Sequence, residues 1–134
     1  MGGHAMIKRE IALKQYGWII VCFIGYSTEN AVYLCQELSK IGCTGKAVSE
    51  AYNHFIKDAH DCGLTYSNVI ERKSLVAIGN ANDQANIVNT IAHEMFHVVA
   101  HICGKDNIDM QGEEPCYIMG ELCEKVFKEL ELWI

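Results

Sequence analysis

The segment 84–103 constrains the fold of this chain most. Its apolar residues recur at intervals of three and four, which is the spacing of side chains on one face of an α-helix. This apolar face consists of Val88, Ile91, Met95, Val98, Val99 and Ile102. The opposite face carries Thr90, His93, Glu94 and His97. We therefore expect a long helix that packs through one side and presents polar groups from the other.

Shorter patterns outside this helix predict a small sheet and three further helices. The runs 17–26 and 74–78 are apolar and contain the β-branched residues typical of buried strands. Asn68, Val69 and Ile70 are expected to pair with the second run as a hairpin. Helical spacing recurs over 29–40, 46–60 and 113–132. Strands and helices in this order indicate an α+β fold.

Composition limits the kind of protein this chain can be. It has 134 residues, of which half are hydrophobic and 21% charged, so we expect one domain over 6–134. Residues 1–5 resemble a cloning remnant. The net charge of −6 argues against a nucleic-acid partner, because binding to phosphates needs basic side chains. The apolar run 18–24 is too short to span a bilayer, so no membrane partner is expected.

The seven cysteines bear on the cellular compartment. Their number is odd and no two of them form a Cys-x-x-Cys pair, which is untypical of a secreted disulfide framework or of a cysteine zinc site. Most lie among apolar neighbours, where a free thiol behaves as a small hydrophobic group. We therefore expect reduced cysteines and a cytoplasmic location.

Residues 93–97 read His-Glu-Met-Phe-His, an HExxH motif within the predicted long helix. Residues four apart lie on one helical face, so His93 and His97 can bind one zinc ion together. Glu94 then lies beside the metal rather than on it, where it can take a proton from zinc-bound water. The motif therefore predicts two metal ligands and a general base.

A catalytic zinc site needs a third protein ligand. On the predicted last helix, Glu113 lies near the edge of the apolar stripe and Glu114 points almost opposite, so helical geometry favours Glu113. Asp106 and Asp109, in the preceding loop, are weaker candidates. His101 is about 12 Å along the helix axis from the first histidine, at about 1.5 Å per residue. That distance favours a place for His101 in the substrate cleft or on the surface.

These residues together resemble the gluzincin metallopeptidases, in which an HExxH helix precedes a glutamate on the next helix. Residues 113–120 are similar in spacing to the thermolysin-type segment Glu-Ala-Ile-Ser-Asp-Ile-Phe-Gly, whose first residue binds zinc, and this implies Glu113 as the third ligand. The chain also resembles small metallopeptidases that cut phage repressors and minimal zincins of bacteria and phages. The resemblance covers about residues 74–132. It implies that the strand 74–78 is a sheet edge able to pair with an extended peptide.

The resemblance implies a zinc-dependent peptidase, a hydrolase with Zn²⁺ as cofactor and peptides or proteins as substrates. It implies a minimal zincin-like domain, in which a small sheet packs on the active-site helix and on a glutamate-bearing C-terminal helix. Tyr117 stands where thermolysin-type enzymes have an aspartate that supports a histidine ligand. Tyr117, Tyr66 and His101 are the candidates for stabilising the oxyanion. The alternative function is a catalytically inactive binding module with a zincin fold.

Overall fold

Two strands followed by two helices occur twice along the chain in a computed structural model that describes residues 6–57, 62–81 and 83–130. The strands are β1 (Ile7–Leu13), β2 (Trp18–Tyr26), β3 (Gly63–Asn68) and β4 (Lys73–Gly79). The helices are α1 (Ala31–Lys40), α2 (Lys46–Phe55), α3 (Gln84–Asp106) and α4 (Glu114–Leu130). The α+β class predicted from the sequence is confirmed. The helix predicted over 46–60 ends earlier, at Phe55; residues 58–60 of that prediction and the predicted remnant 1–5 lie outside the described residues.

The four strands form one mixed sheet in the order β1-β2-β4-β3. The outer pairs, β1 with β2 and β3 with β4, are antiparallel, whereas β2 and β4 are parallel. The sequence did not indicate β1, because its first four residues are exposed and three of them are charged. Only Ile11 and Leu13 of that strand are buried, which is too little alternation to distinguish a strand from a loop.

The prediction that 74–78 forms an edge of the sheet is wrong. β4 lies in the interior of the sheet, between β2 and β3, and every residue from Ser74 to Gly79 is buried. Such a continuous apolar run is typical of a strand covered on both faces. The edge on this side is β3, which begins five residues before the predicted hairpin partner Asn68. Val69 and Ile70 lie in the turn that follows it.

Helices cover both faces of the sheet and divide the core in two. Alternate residues of β2 supply the two halves, since successive side chains of a strand point to opposite faces. Trp18 and Ile20 pack with apolar side chains of α3 and α4. Phe23 packs with side chains of α1 and α2 on the other face. The two sides of the sheet therefore carry separate clusters, and the HExxH motif belongs to the side of α3 and α4.

Local signals at both ends fix the length of α3. The Asp83 side chain caps the first turn by accepting a 2.9 Å hydrogen bond from the backbone N–H of Asn86. At the other end Asn107 adopts a left-handed conformation, which ends the helix. Among the described residues, no helix is both long enough and apolar enough to cross a membrane.

All seven cysteines are free thiols, as expected. Their surroundings vary more than the sequence suggested. Cys22, Cys43 and Cys103 are buried, whereas Cys116 is exposed on α4. Among the side chains of α4 that the structure describes, Pro115, Ile118, Leu122 and Val126 are buried.

Candidate metal and catalytic site

The two histidines of the HExxH motif lie side by side on α3. Their ring centroids are 5.0 Å apart, as the spacing of four residues on a helix requires. Both rings are exposed, and 67% of the His93 side chain is accessible. On the opposite side of the helix, the apolar residues from Ile91 to Ile102 are buried, and only Val88, near the start of α3, is exposed. The packing of α3 against the sheet therefore leaves both imidazoles open to a ligand.

The Glu94 side chain is buried, whereas the sequence predicted that it lies on the exposed face of the helix. The sequence put it with Thr90 on the open face of the helix, yet the two residues are 6% and 5% exposed. Glu94 is covered by β3, and the hydroxyl of Thr65 donates a 2.7 Å hydrogen bond to Glu94 Oε1. The other carboxylate oxygen, Oε2, is 3.9 Å from His93 Nε2. The carboxylate is thus held at one oxygen and lies near His93 with the other.

Gly63 makes room for this carboxylate. A Cβ atom at that position would lie 2.7 Å from Glu94 Cγ and 2.8 Å from Oε2, closer than side-chain atoms approach one another. The strand can pass this close to α3 only because residue 63 has no side chain. The backbone oxygen of Gly63 is in turn 2.9 Å from His54 Nε2, on α2.

His101 lies one helical turn beyond His97, and the two ring centroids are 6.4 Å apart. Its Nδ1 is 2.6 Å from the hydroxyl of Ser67 on β3. Ser67 Oγ is in turn 2.7 Å from Ser74 Oγ, which accepts a 2.9 Å hydrogen bond from the indole N–H of Trp18. Burial and the neighbouring His97 lower the pKa of His101. A row of polar contacts therefore connects the core of the sheet to the histidine side of α3.

The start of α4 is turned away from the histidines. Glu114 accepts a 2.7 Å hydrogen bond from the hydroxyl of Tyr16. Burial is the main cause that raises the pKa of Tyr16 to about 12, and this hydrogen bond is the second. Burial is the main cause that raises the pKa of the Cys103 thiol, and the nearby Glu114 carboxylate raises it further. Cys103 lies about 9 Å along α3 from His97 and about 120° around it, at about 1.5 Å and 100° per residue.

This placement separates the predicted third ligand from the other two. Glu113 immediately precedes α4 and is exposed. Within residues 6–57, 62–81 and 83–130, no three His, Cys, Asp or Glu side chains are grouped so that they could hold a metal ion. The structure thus brings His93, Glu94 and His97 together and does not bring Glu113 to them.

The weaker candidates have other surroundings. Asp106 forms an ion pair with Arg72, with a shortest distance of 2.5 Å, and Asp109 accepts a 3.0 Å hydrogen bond from the backbone of Gln111. Tyr117 is 73% exposed on α4. Tyr66 packs against the cluster on the α1–α2 side of the sheet. Of the three residues considered for oxyanion stabilisation, His101 alone contacts a histidine of the motif.

Sequence reasoning missed the contribution of β3. Thr65 and Ser67 are two residues apart, so they share one face of the strand, and that face contacts α3. The alternation of small polar residues with Leu64 and Tyr66 was the signal that could have identified a strand here.

Tyr26 is a second residue that the sequence did not single out. Its side chain is 5% exposed, and its buried hydroxyl has no hydrogen-bond partner among the described residues. Burial raises the pKa of this phenol far above its ordinary value, with smaller contributions from Cys62 and Glu94. The hydroxyl therefore lies near the Glu94 carboxylate without a hydrogen bond to it.

Comparison with known proteins adds no assignment. No protein-family model matches the sequence, no curated protein is significantly similar to it, and no solved structure matches the fold. The function of this chain is therefore inferred from its own residues and geometry.

Proposed function

We propose that this protein is a zinc-dependent peptidase whose active site is built on α3 and β3. The observation that carries the proposal is the arrangement of His93, Glu94 and His97 on two adjacent turns of α3. Two exposed imidazoles lie 5.0 Å apart, and a buried carboxylate oxygen lies 3.9 Å from the first of them. Metal ligands and a proton acceptor at such spacing are the parts that metal-assisted hydrolysis requires.

The donor set suits zinc as far as it is assembled. Imidazole nitrogens at i and i+4 of a helix are common zinc ligands, and both rings are accessible to an ion from solvent. His93 and His97 would hold the metal. Glu113, the third ligand that the resemblance implies, does not lie beside them in the described structure and would have to approach them to complete the site. Zinc, when bound, lowers the pKa of a coordinated water to about 7 and polarises a carbonyl group.

Glu94 is the proposed general base. The Thr65 hydroxyl holds Oε1 at 2.7 Å, so the carboxylate cannot rotate freely and Oε2 stays near His93. An ionised carboxylate in this position can accept a proton from water and deliver it to the leaving amine. Thr65 contributes by orientation, since its single hydroxyl proton is donated to the carboxylate.

The backbone of β3 offers a place for an extended peptide. Gly79 N–H donates to Cys62 O at 2.7 Å, so in this antiparallel pair the backbone groups of Leu64 and Tyr66 point towards β4. The groups of Thr65 and Ser67 then point outwards, away from the sheet. A peptide that paired with them would run beside Glu94, as in other cases of strand addition to a sheet edge.

The test is hydrolysis of a peptide library by zinc-loaded protein. Glu94→Gln keeps the size of the side chain but cannot accept the proton, so we expect activity to fall by about 10²- to 10⁴-fold while the zinc content stays the same. Glu124→Gln, at an exposed position of α4, is the matched control and should retain the parental activity. Undiminished cleavage by Glu94→Gln would contradict the proposed mechanism.

The second candidate function is a binding module that retains the site without catalysis. The separation of Glu113 from the histidines favours it, since an incomplete ligand set makes a weak catalyst. If neither the parent nor Glu94→Gln cleaves any peptide of a broad library although both bind zinc, the binding module is the better description.

A further inference from the structure

The row of hydroxyl groups behind His101 has a defined direction. It begins at the indole of Trp18, which can only donate a hydrogen bond, and its N–H points to Ser74 Oγ at 2.9 Å. Ser74 is completely buried, so its own hydroxyl proton needs an acceptor within the protein. Ser67 Oγ, 2.7 Å away, is the acceptor that the structure provides.

The same reasoning continues to the imidazole. Because Ser67 Oγ accepts from Ser74, its own proton is available for His101 Nδ1, 2.6 Å away. The opposite direction would need a proton on Nδ1 and would leave the buried Ser74 hydroxyl without an acceptor. If Ser67 Oγ accepted from both Ser74 and a protonated Nδ1, its own proton would have no acceptor among the described residues. Within the described residues, only the first arrangement therefore gives each of these protons a partner.

We propose that Trp18, Ser74 and Ser67 hold His101 as the tautomer protonated on Nε2, and that this N–H binds a carbonyl or carboxylate oxygen of a peptide ligand beside the His93–His97 pair. Nδ1 faces Ser67, so Nε2 points to the other side of the ring. The described residues supply no hydrogen bond to Nε2. The ring itself is only partly buried and lies 6.4 Å from that of His97.

This inference deepens the proposed function and rests on it for the identity of the ligand. It assigns His101 a different role from its neighbours, since an Nε2 atom that carries a proton cannot bind a metal. His101 would be a donor to the substrate, placed one turn from the metal ligands. The backbone of Ser67, which points outwards from the sheet edge, would hold the same peptide.

The tautomer can be measured without any ligand. In protein labelled with ¹⁵N-histidine at neutral pH, long-range ¹H–¹⁵N correlation spectra should show His101 with a proton on Nε2 and an unprotonated Nδ1. His101→Gln identifies the signal by its loss. Ser67→Ala should shift the His101 nitrogens, and Ser39→Ala, an exposed serine that bonds only to its own helix, should not. A proton on Nδ1 in the parent protein would overturn the inference.

The ligand role is tested with acetohydroxamate as a probe that presents a zinc-binding carbonyl oxygen. In zinc-loaded protein, His101→Phe should weaken hydroxamate binding about tenfold, the loss expected for one hydrogen bond to a charged group, and should leave the zinc content unchanged. Unchanged hydroxamate affinity, or loss of zinc, would overturn the donor role. If the parent protein takes up no zinc, the proposed function fails, and the tautomer measurement alone decides whether His101 is held as an Nε2–H donor.

Discussion

Two residues of β3, Thr65 and Gly63, allow the Glu94 carboxylate to lie buried beside the strand. Thr65 supplies a hydroxyl at 2.7 Å, and Gly63 leaves the space that the carboxylate fills. Neither residue belongs to the HExxH motif, and each lies about 30 positions before it in the chain. At the scale of single residues, the proposed catalytic group therefore depends on its neighbours in space rather than in sequence.

Gly63→Ala tests this dependence. The new methyl group would displace the Glu94 side chain and its hydrogen bond, so we expect the free energy of unfolding to fall by about 1–3 kcal/mol. Urea denaturation measures the change. The control is Gly120→Ala on α4, where a Cβ atom meets nothing within 4 Å and should stabilise the helix by about 0.5–1 kcal/mol. Equal effects of the two substitutions would contradict the close approach of β3 to Glu94.

Tyr26→Phe tests the buried hydroxyl near Glu94. Because that hydroxyl has no partner among the described residues, its removal should raise the free energy of unfolding by about 1 kcal/mol or leave it unchanged. Tyr16→Phe removes a hydroxyl that donates to Glu114, and should lower it by about 0.5–1.5 kcal/mol. Thermal and urea unfolding of both variants provide the comparison. A clear loss of stability in Tyr26→Phe would show that its hydroxyl is hydrogen bonded in solution.

At the scale of elements, the turn between β3 and β4 is fastened to the end of α3. Arg72, which has a positive φ of 58°, places its guanidinium against both carboxylate oxygens of Asp106, at 2.5 and 3.1 Å. A planar guanidinium and a carboxylate match in this two-bond geometry. The contact fixes the C-terminal half of α3 relative to the strands that position Glu94 and His101.

The contribution of this ion pair to the stability of the protein should decrease at low pH. The hydrogen bond with Arg72 lowers the pKa of Asp106, so the folded state favours the ionised carboxylate. Its contribution to stability is complete above the unfolded-state pKa, about 3.9, and is lost as the pH falls below that value. Asp106→Asn should therefore be less stable than the parent at pH 7, and the difference should shrink between pH 5 and pH 2. A difference that does not change with pH would contradict the pairing.

The sequence predicted the elements whose signals are local. The helix α3 and the adjacency of His93 and His97 follow from spacing within one segment, and both are present in the structure. The strand β1 was missed because its exposed half has no apolar alternation. The interior place of β4 and the position of Glu113 depend on how distant segments pack, which no local pattern encodes.

At the scale of the whole molecule, the sheet separates two helical layers, and the proposed site lies where one layer meets the free edge of the sheet. The helix α3 supplies the proposed ligands, and β3 holds Glu94 and His101 from the side. The α4 layer packs on a different flank of α3, near Cys103. The proposed zinc site on α3 therefore depends most on His93 and His97.

Zinc binding by purified protein tests this claim most directly. We predict one zinc ion per chain by metal analysis and calorimetric titration. His93→Ala and His97→Ala should each weaken binding by more than about 100-fold, since even changes behind a metal ligand cost about 10- to 100-fold. Glu113→Gln should weaken it more than Glu114→Gln, and Glu94→Gln should not weaken it. Absence of zinc binding by the parent chain, or the same zinc content in both histidine variants as in the parent, would contradict the account.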